Sequence, residues 1–144
     1  MIANADIRGE SWLAKRGEFI YHGTFRNFIY DLRDNSVRQW LGEHEQLFGI
    51  AIRDNLAFAA KYNAGLAVYD LQDPLSPIEV ATVPTPQNYV NDIVIQDDIA
   101  YLGGSHDASV SMIDISDPAA PRFIAAVDSP GVVLNVAVAG GFAW

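Results

Sequence analysis

Few residues of this chain have the type and spacing to do chemistry. Asn91, Asp92 and Asn135 are polar where the next residues are apolar, and Tyr89 lies two residues before Asn91. Oxygen-bearing side chains grouped in this way could line a polar mouth or ligate a hard cation. They could equally bond loop backbone as Asx turns. Ser105-His106-Asp107 sets a histidine beside a carboxylate, which suggests a base and its orienter. Adjacent residues on a strand point to opposite faces, however, and no nucleophile spacing completes a triad. An exposed hairpin loop is the expectation there. Gly103-Gly104 is followed by neither a Lys-Ser/Thr pair nor a helix, so it is no phosphate loop. His22 and His44 lie 22 residues apart without a paired metal-binding spacing, so no zinc site is expected. No other cofactor is expected either.

Composition narrows the partners. The 144 residues carry 18 acidic and 9 basic side chains, a net charge of −9. That balance argues against nucleic acid, whose phosphates need a basic face, and against an anionic membrane surface. There is no cysteine, so disulfides, thiolate nucleophiles and Cys-ligated metals are excluded. Half of the residues are apolar, enough for a core. The apolar runs are too short for a membrane span.

The elements that must hold these residues are repeated. Phe48–Phe58, Asn91–Tyr101 and Leu134–Trp144 align without gaps at an offset of 43. In each, two apolar runs flank two turn formers: Asp54-Asn55, Asp97-Asp98 and Gly140-Gly141. A two-residue hairpin needs positive φ, which Gly, Asn and Asp tolerate best. A second block, Gly65 to Pro77, matches Ser109 to Pro121 at an offset of 44. It alternates as a half-buried strand does and leaves through Asp73-Pro74 and Asp117-Pro118. One more short strand follows in each, so a unit is four strands: 50–53, 56–60, 65–71 and 78–83, then 93–96, 99–103, 109–115 and 122–127. Upstream, Phe19-Ile20-Tyr21, Phe28 to Asp34 and Val37 to Leu41 read as the last three strands of a degenerate unit. Trp12 to Arg16 is either a helical turn or a strand. Trp40, Phe58, Tyr101 and Trp144 are expected to pack between units.

Four strands per 40–45 residues is the period of a β-propeller blade. The expected fold is all-β, with blades of four antiparallel strands, about three blades and an incomplete ring. The expected organisation is one propeller domain. Residues 1–47 are a degenerate or partial first blade, and repeats follow near 48–90, 91–133 and 134–144, the last truncated.

The strand blocks Gly65-Leu66-Ala67-Val68-Tyr69-Asp70-Leu71 and Val110-Ser111-Met112-Ile113-Asp114-Ile115, with their Asp-Pro exits and Pro77 and Pro121, resemble the LVIVD repeat. Ser129-Pro130-Gly131, Val136 to Val138 and Ala143-Trp144 continue the pattern, so the resemblance covers roughly residues 48–144. Asn27 departs from it, standing where leucine is expected, and no Asp-Pro follows Asp31. The resemblance implies a propeller and a surface or secreted protein. It implies no particular activity.

The leading functional expectation is a non-catalytic binding scaffold for a protein or carbohydrate. The alternative is a channel-mouth hydrolase or lyase, with or without a metal, built on Asn91, Asp92, Asn135 and His106. A third is pure assembly through sheet edges. Met1 to Arg8 shows no signal peptide, and the chain stops inside an expected strand. It therefore reads as a piece of a longer protein, with further blades supplied by that protein or by a second chain. Asp70 and Asp114 hold equivalent positions, as do Asp73 and Asp117, and Pro74 and Pro118. Identity in every unit points to structure, since an active site needs one copy. Asp70→Ala or Asp114→Ala should each lower stability by about 1 kcal/mol, and an unchanged melting temperature would refute a structural role.

Overall fold

The structure is a computed structural model and describes residues 12–23, 26–42, 45–87, 89–104 and 108–139, with the backbone of 142–143. It holds three four-stranded antiparallel sheets, each in chain order. The first is β1 (Trp12–Arg16), β2 (Phe19–Gly23), β3 (Phe28–Asp31) and β4 (Ser36–Gln39). The second is β5 (Leu47–Arg53), β6 (Leu56–Lys61), β7 (Gly65–Asp70) and β8 (Ile78–Val83). The third is β9 (Val90–Gln96), β10 (Ile99–Gly104), β11 (Ser109–Asp114) and β12 (Arg122–Asp128). Two short strands, β13 (Val138–Ala139) and β14 (Phe142–Ala143), pair with each other. There is no helix among the described residues. The fold is that of propeller blades without a closed ring. Strand β5 packs against both β1 and β9, so the first strand of each sheet is innermost.

The hairpin turns follow the turn chemistry. Gly17, Asp54 and Asp97 each open a two-residue turn at positive φ. Only the first residue of each pair is left-handed, whereas the sequence admitted both. Trp12 to Arg16 is a strand, settling that alternative. Leu32 to Asn35 is a turn and does not continue β3. Its cause is local: Asp31 Oδ1 accepts the Arg33 amide at 3.0 Å, and Asn35 sits at φ 58°. The inner strands β5 and β9 begin at Leu47 and Val90, three residues before the expected starts at Ile50 and Ile93.

Two apolar layers join the sheets face to face. Between the first and second, Phe19, Tyr21 and Ile29 pack with Leu47, Ala57, Ala59, Tyr69 and Leu71. Trp40 stands edge-on to both Tyr21 and Tyr69, at 5.8 and 5.1 Å. Between the second and third, Phe58, Leu66, Val68 and Val83 pack with Ala100, Leu102, Ile113 and Ile115. The inner ends come closest. A Cβ on Gly49 would lie 2.9 Å from the Ile93 nitrogen, and one on Gly23 would lie 2.9 Å from the Leu47 oxygen. Only a residue without a side chain fits at such distances.

An arginine at the end of each inner strand then reaches across to the next sheet. Arg53 donates to Asp97 O at 2.6 Å, to Asp98 Oδ1 at 3.2 Å and to Ile115 O at 3.2 Å. Arg16 makes the equivalent set one sheet earlier, to Asp54 O at 2.9 Å, Leu71 O at 3.2 Å and the Asn55 side chain. One guanidinium thus ties down a hairpin and the exit of the third strand together. Its fork of donors suits that task. Arg53→Ala should lower stability by about 1–2 kcal/mol, the worth of a few partly exposed charge-assisted bonds. A urea midpoint that does not move would show that the clamp contributes nothing.

Candidate binding site at the inner-strand bulges

Each of the two inner strands β5 and β9 carries one residue too many for its partner. Leu47 opposes Lys61 and Gly49 opposes Ala60, which leaves Phe48 unpaired. Val90 opposes Gly104 and Asp92 opposes Gly103, which leaves Asn91 unpaired. Phe48 and Asn91 are equivalent in the repeat. Such β-bulges re-aim a side chain and are common beside binding sites. They also explain the early strand starts: the expected polar entry to the strand is a bulge inside it.

At Phe48 the bulge opens onto other rings. Phe48 lies 5.5 Å from Tyr62, centroid to centroid, and Tyr62 lies 4.7 Å from Tyr89. All three are half-buried. The Tyr89 hydroxyl, with burial second, holds the Tyr62 phenol above its ordinary pKa. Next along the chain, Lys61 pairs with Glu45 at 2.6 Å and Glu79 at 2.8 Å. Burial works against that ammonium, but the two carboxylates keep its pKa above the usual value. Glu79 also accepts the Tyr69 hydroxyl at 3.1 Å.

Asp92 faces the other way. It is 7% exposed, and both its oxygens are engaged by backbone: Oδ1 accepts Ile93 N at 2.8 Å and Oδ2 accepts Val136 N at 2.7 Å. It ties the third sheet to the stretch that follows it. Burial pushes its carboxyl pKa up, against the pull of the two amides. Asn135, beside Val136, is exposed. Tyr89 and Asn91 therefore share one rim, whereas Asp92 turns into the packing. His106 lies outside the described residues, as do His44 and the Gly140-Gly141 turn. His22 is 3% exposed and stacked 6.4 Å from Phe28, and burial lowers its pKa. Among the described residues, no three His, Cys, Asp or Glu side chains are placed to hold a metal ion.

The repeated aspartates lie at strand exits. Asp70 accepts Gln72 N at 2.7 Å and Asp114 accepts Ser116 N at 2.9 Å. Asp73 accepts Leu75 N at 3.0 Å and Asp117 accepts Ala119 N at 3.1 Å, in the turns that hold Pro74 and Pro118. Asp31 is the first sheet's counterpart. The Arg33 side chain, 2.6 Å away, holds its carboxyl at a pKa of about 2. Sequence reasoning missed Phe48, Tyr62 and the arginine clamps. Arg16 and Arg53 each precede a hairpin turn, a signal visible once the first unit is aligned with the others. It also missed Gln87, which is buried and donates to Ser109 Oγ at 3.0 Å while accepting from Ser111 Oγ at 2.6 Å.

Asp92 carries a pH prediction. Its pKa is higher folded than unfolded, so its contribution to stability is fully present below the ordinary carboxylate pKa. That contribution is lost as pH rises through the folded value. Asp92→Asn should flatten this part of the pH–stability curve. It should also speed hydrogen exchange at Val136, because an amide side chain has one acceptor oxygen where the carboxylate has two. Unchanged exchange at Val136 would contradict the bond.

The comparisons with known proteins agree with this architecture. The LVIVD repeat matches residues 48–85 and 88–129. No curated protein matches the chain. Among solved structures, the computationally designed Ika8 protein is similar over 92% of this chain and 41% of its own, with TM-score 0.73 and 13% identity. The designed Ika4 protein is similar over 92% of this chain and 81% of its own, also with TM-score 0.73 and 13% identity. A chain of the Mitotic Checkpoint Complex is similar over 86% of this chain and 41% of its own, with TM-score 0.70 and 14% identity. At these identities the likeness is one of fold. The chain spans about two fifths of two of these structures. The matched repeats cover more than half of the residues on which the sheets, hairpins and Asp-Pro turns stand, and the chain belongs to the LVIVD repeat family.

Proposed function

We propose that this chain is a binding scaffold whose ligand surface is the aromatic rim at Phe48, Tyr62, Tyr89 and Asn91. One observation carries the reading: the rim breaks the repeat. Phe48 has Asn91 and Leu134 as its equivalents, Tyr62 has Ser105, and Tyr89 has Val132. Residues present in every unit serve the blade, and a contiguous aromatic group present once has no such duty. Half-buried ring faces beside a bulge suit a pyranose or an apolar protein side chain. A hydrolase or lyase at the same mouth finds less support, because the Asp92 oxygens already accept two backbone amides.

The same reading treats the chain as one propeller domain and as part of a larger surface or secreted assembly. Its units are 1–47, 48–90, 91–133 and 134–144. Further blades come from the rest of a longer protein or from a second chain. The fraction of the similar structures that it spans supports this.

The test is a titration with cellotetraose and chitotetraose, followed by the tyrosine amide and ring signals, and in parallel an affinity capture of protein partners. Tyr62→Ala should weaken whichever ligand binds by tenfold or more, as removal of a central interface aromatic does. Binding that is indifferent to Tyr62→Ala and Phe48→Ala would move the ligand surface elsewhere.

A further inference from the structure

The third sheet has a groove where the second has a packed core. Tyr101, Val110, Met112 and Val127 occupy the positions of Phe58, Leu66, Val68 and Val83. On the second sheet those positions are 0, 0, 0 and 8% exposed, covered by the third sheet. On the third sheet Val127 is 57% exposed, and the four side chains line a cavity of about 310 Å³, closed on one side by Pro130 and Val133.

The inner half of this face is already covered. Val136 N is held by Asp92, and a Cβ on Gly103 would meet the Val133 and Val136 side chains at 2.8 and 2.9 Å. Strands β13 and β14 correspond to the first two strands of a unit. Among the described residues, no strand pairs with the other edge of β14. In the second interface the matching place is held by β11, whose Ile113 and Ile115 join the apolar layer.

We propose that the groove is an acceptor for one extended strand from a separate polypeptide, recognised by apolar side chains two residues apart. The strand adds to β14 and lowers those side chains into the groove, the usual mode of β-strand addition. The repeat sets its register. In all three sheets an aspartate at the strand end opposes the first residue of the second strand: Asp31 with Phe19, Asp70 with Leu56, Asp114 with Ile99. The incoming strand therefore sets its aspartate opposite Phe142 and an apolar residue opposite Ala143. The occupant is thus a segment with the pattern of the chain's own Met112-Ile113-Asp114-Ile115.

The probe is a synthetic peptide with the sequence of residues 109–121, titrated into the full 144-residue chain by calorimetry. Saturable one-to-one binding is expected, with new exchange protection at the amides of 142–143. A peptide carrying Ile113→Glu and Ile115→Glu should bind at least tenfold more weakly. Val127→Glu and, separately, Met112→Glu in the chain should have the same effect, and Val80→Glu on β8 should have none. No binding would overturn the proposal. So would equal binding of the two peptides, or a self-associated chain that excludes the peptide.

Discussion

Every sheet in this chain is apolar on both faces, and that constraint governs the rest. A lone four-stranded sheet of this composition would leave one face to water. Stacking resolves the problem by making each sheet the lid of the one before it. The second sheet, with neighbours on both sides, is the most completely buried, and Phe58, Leu66, Val68 and Tyr69 are all but inaccessible. The third sheet has nearly the same residue types at equivalent places and is open on one side. Burial here is set by the neighbour rather than by the strand's own sequence.

Face-to-face burial alone does not set register, because apolar layers can slide. Directional contacts at the inner edge do. The arginine at the end of an inner strand meets carbonyls from two elements of the next sheet at once, and Asp92 meets amides on both sides of the junction. These bonds lie where the sheets approach most closely. A shift of one residue would break several together. The aspartates at the strand exits act more locally, folding the chain back within one sheet.

Much of this was legible in the residues. The hairpin pairs Asp54-Asn55 and Asp97-Asp98, the alternation of 65–71 and 109–115 and the Asp-Pro exits carry their structural meaning in local chemistry, and they placed the strands. The inner-strand bulges were not legible. A bulge depends on which residue lies opposite, and Asn91 looks the same in a loop as in a bulged strand. The division between Asn91 and Asp92 was hidden for the same reason, since only the pairing decides which of two adjacent polar residues turns inward. Tyr62 gave no signal at all: it sits in a turn and matters through Phe48 and Tyr89, residues from two other strands. The clamp arginines gave a weak one, drowned by the degenerate spacing of the first unit.

The glycine at position 49 has a geometric consequence for the assembly as a whole. Backbone meets backbone there, while farther out Trp40, Tyr21 and Tyr69 hold the first two sheets apart. Each junction is therefore a wedge, thin at the axis and thick at the circumference. The taper of that wedge is the angular step from one blade to the next, and the step fixes how many blades complete a turn. The size of the ring is in this sense written at its centre, in the few ångströms that a missing side chain leaves between neighbouring strands.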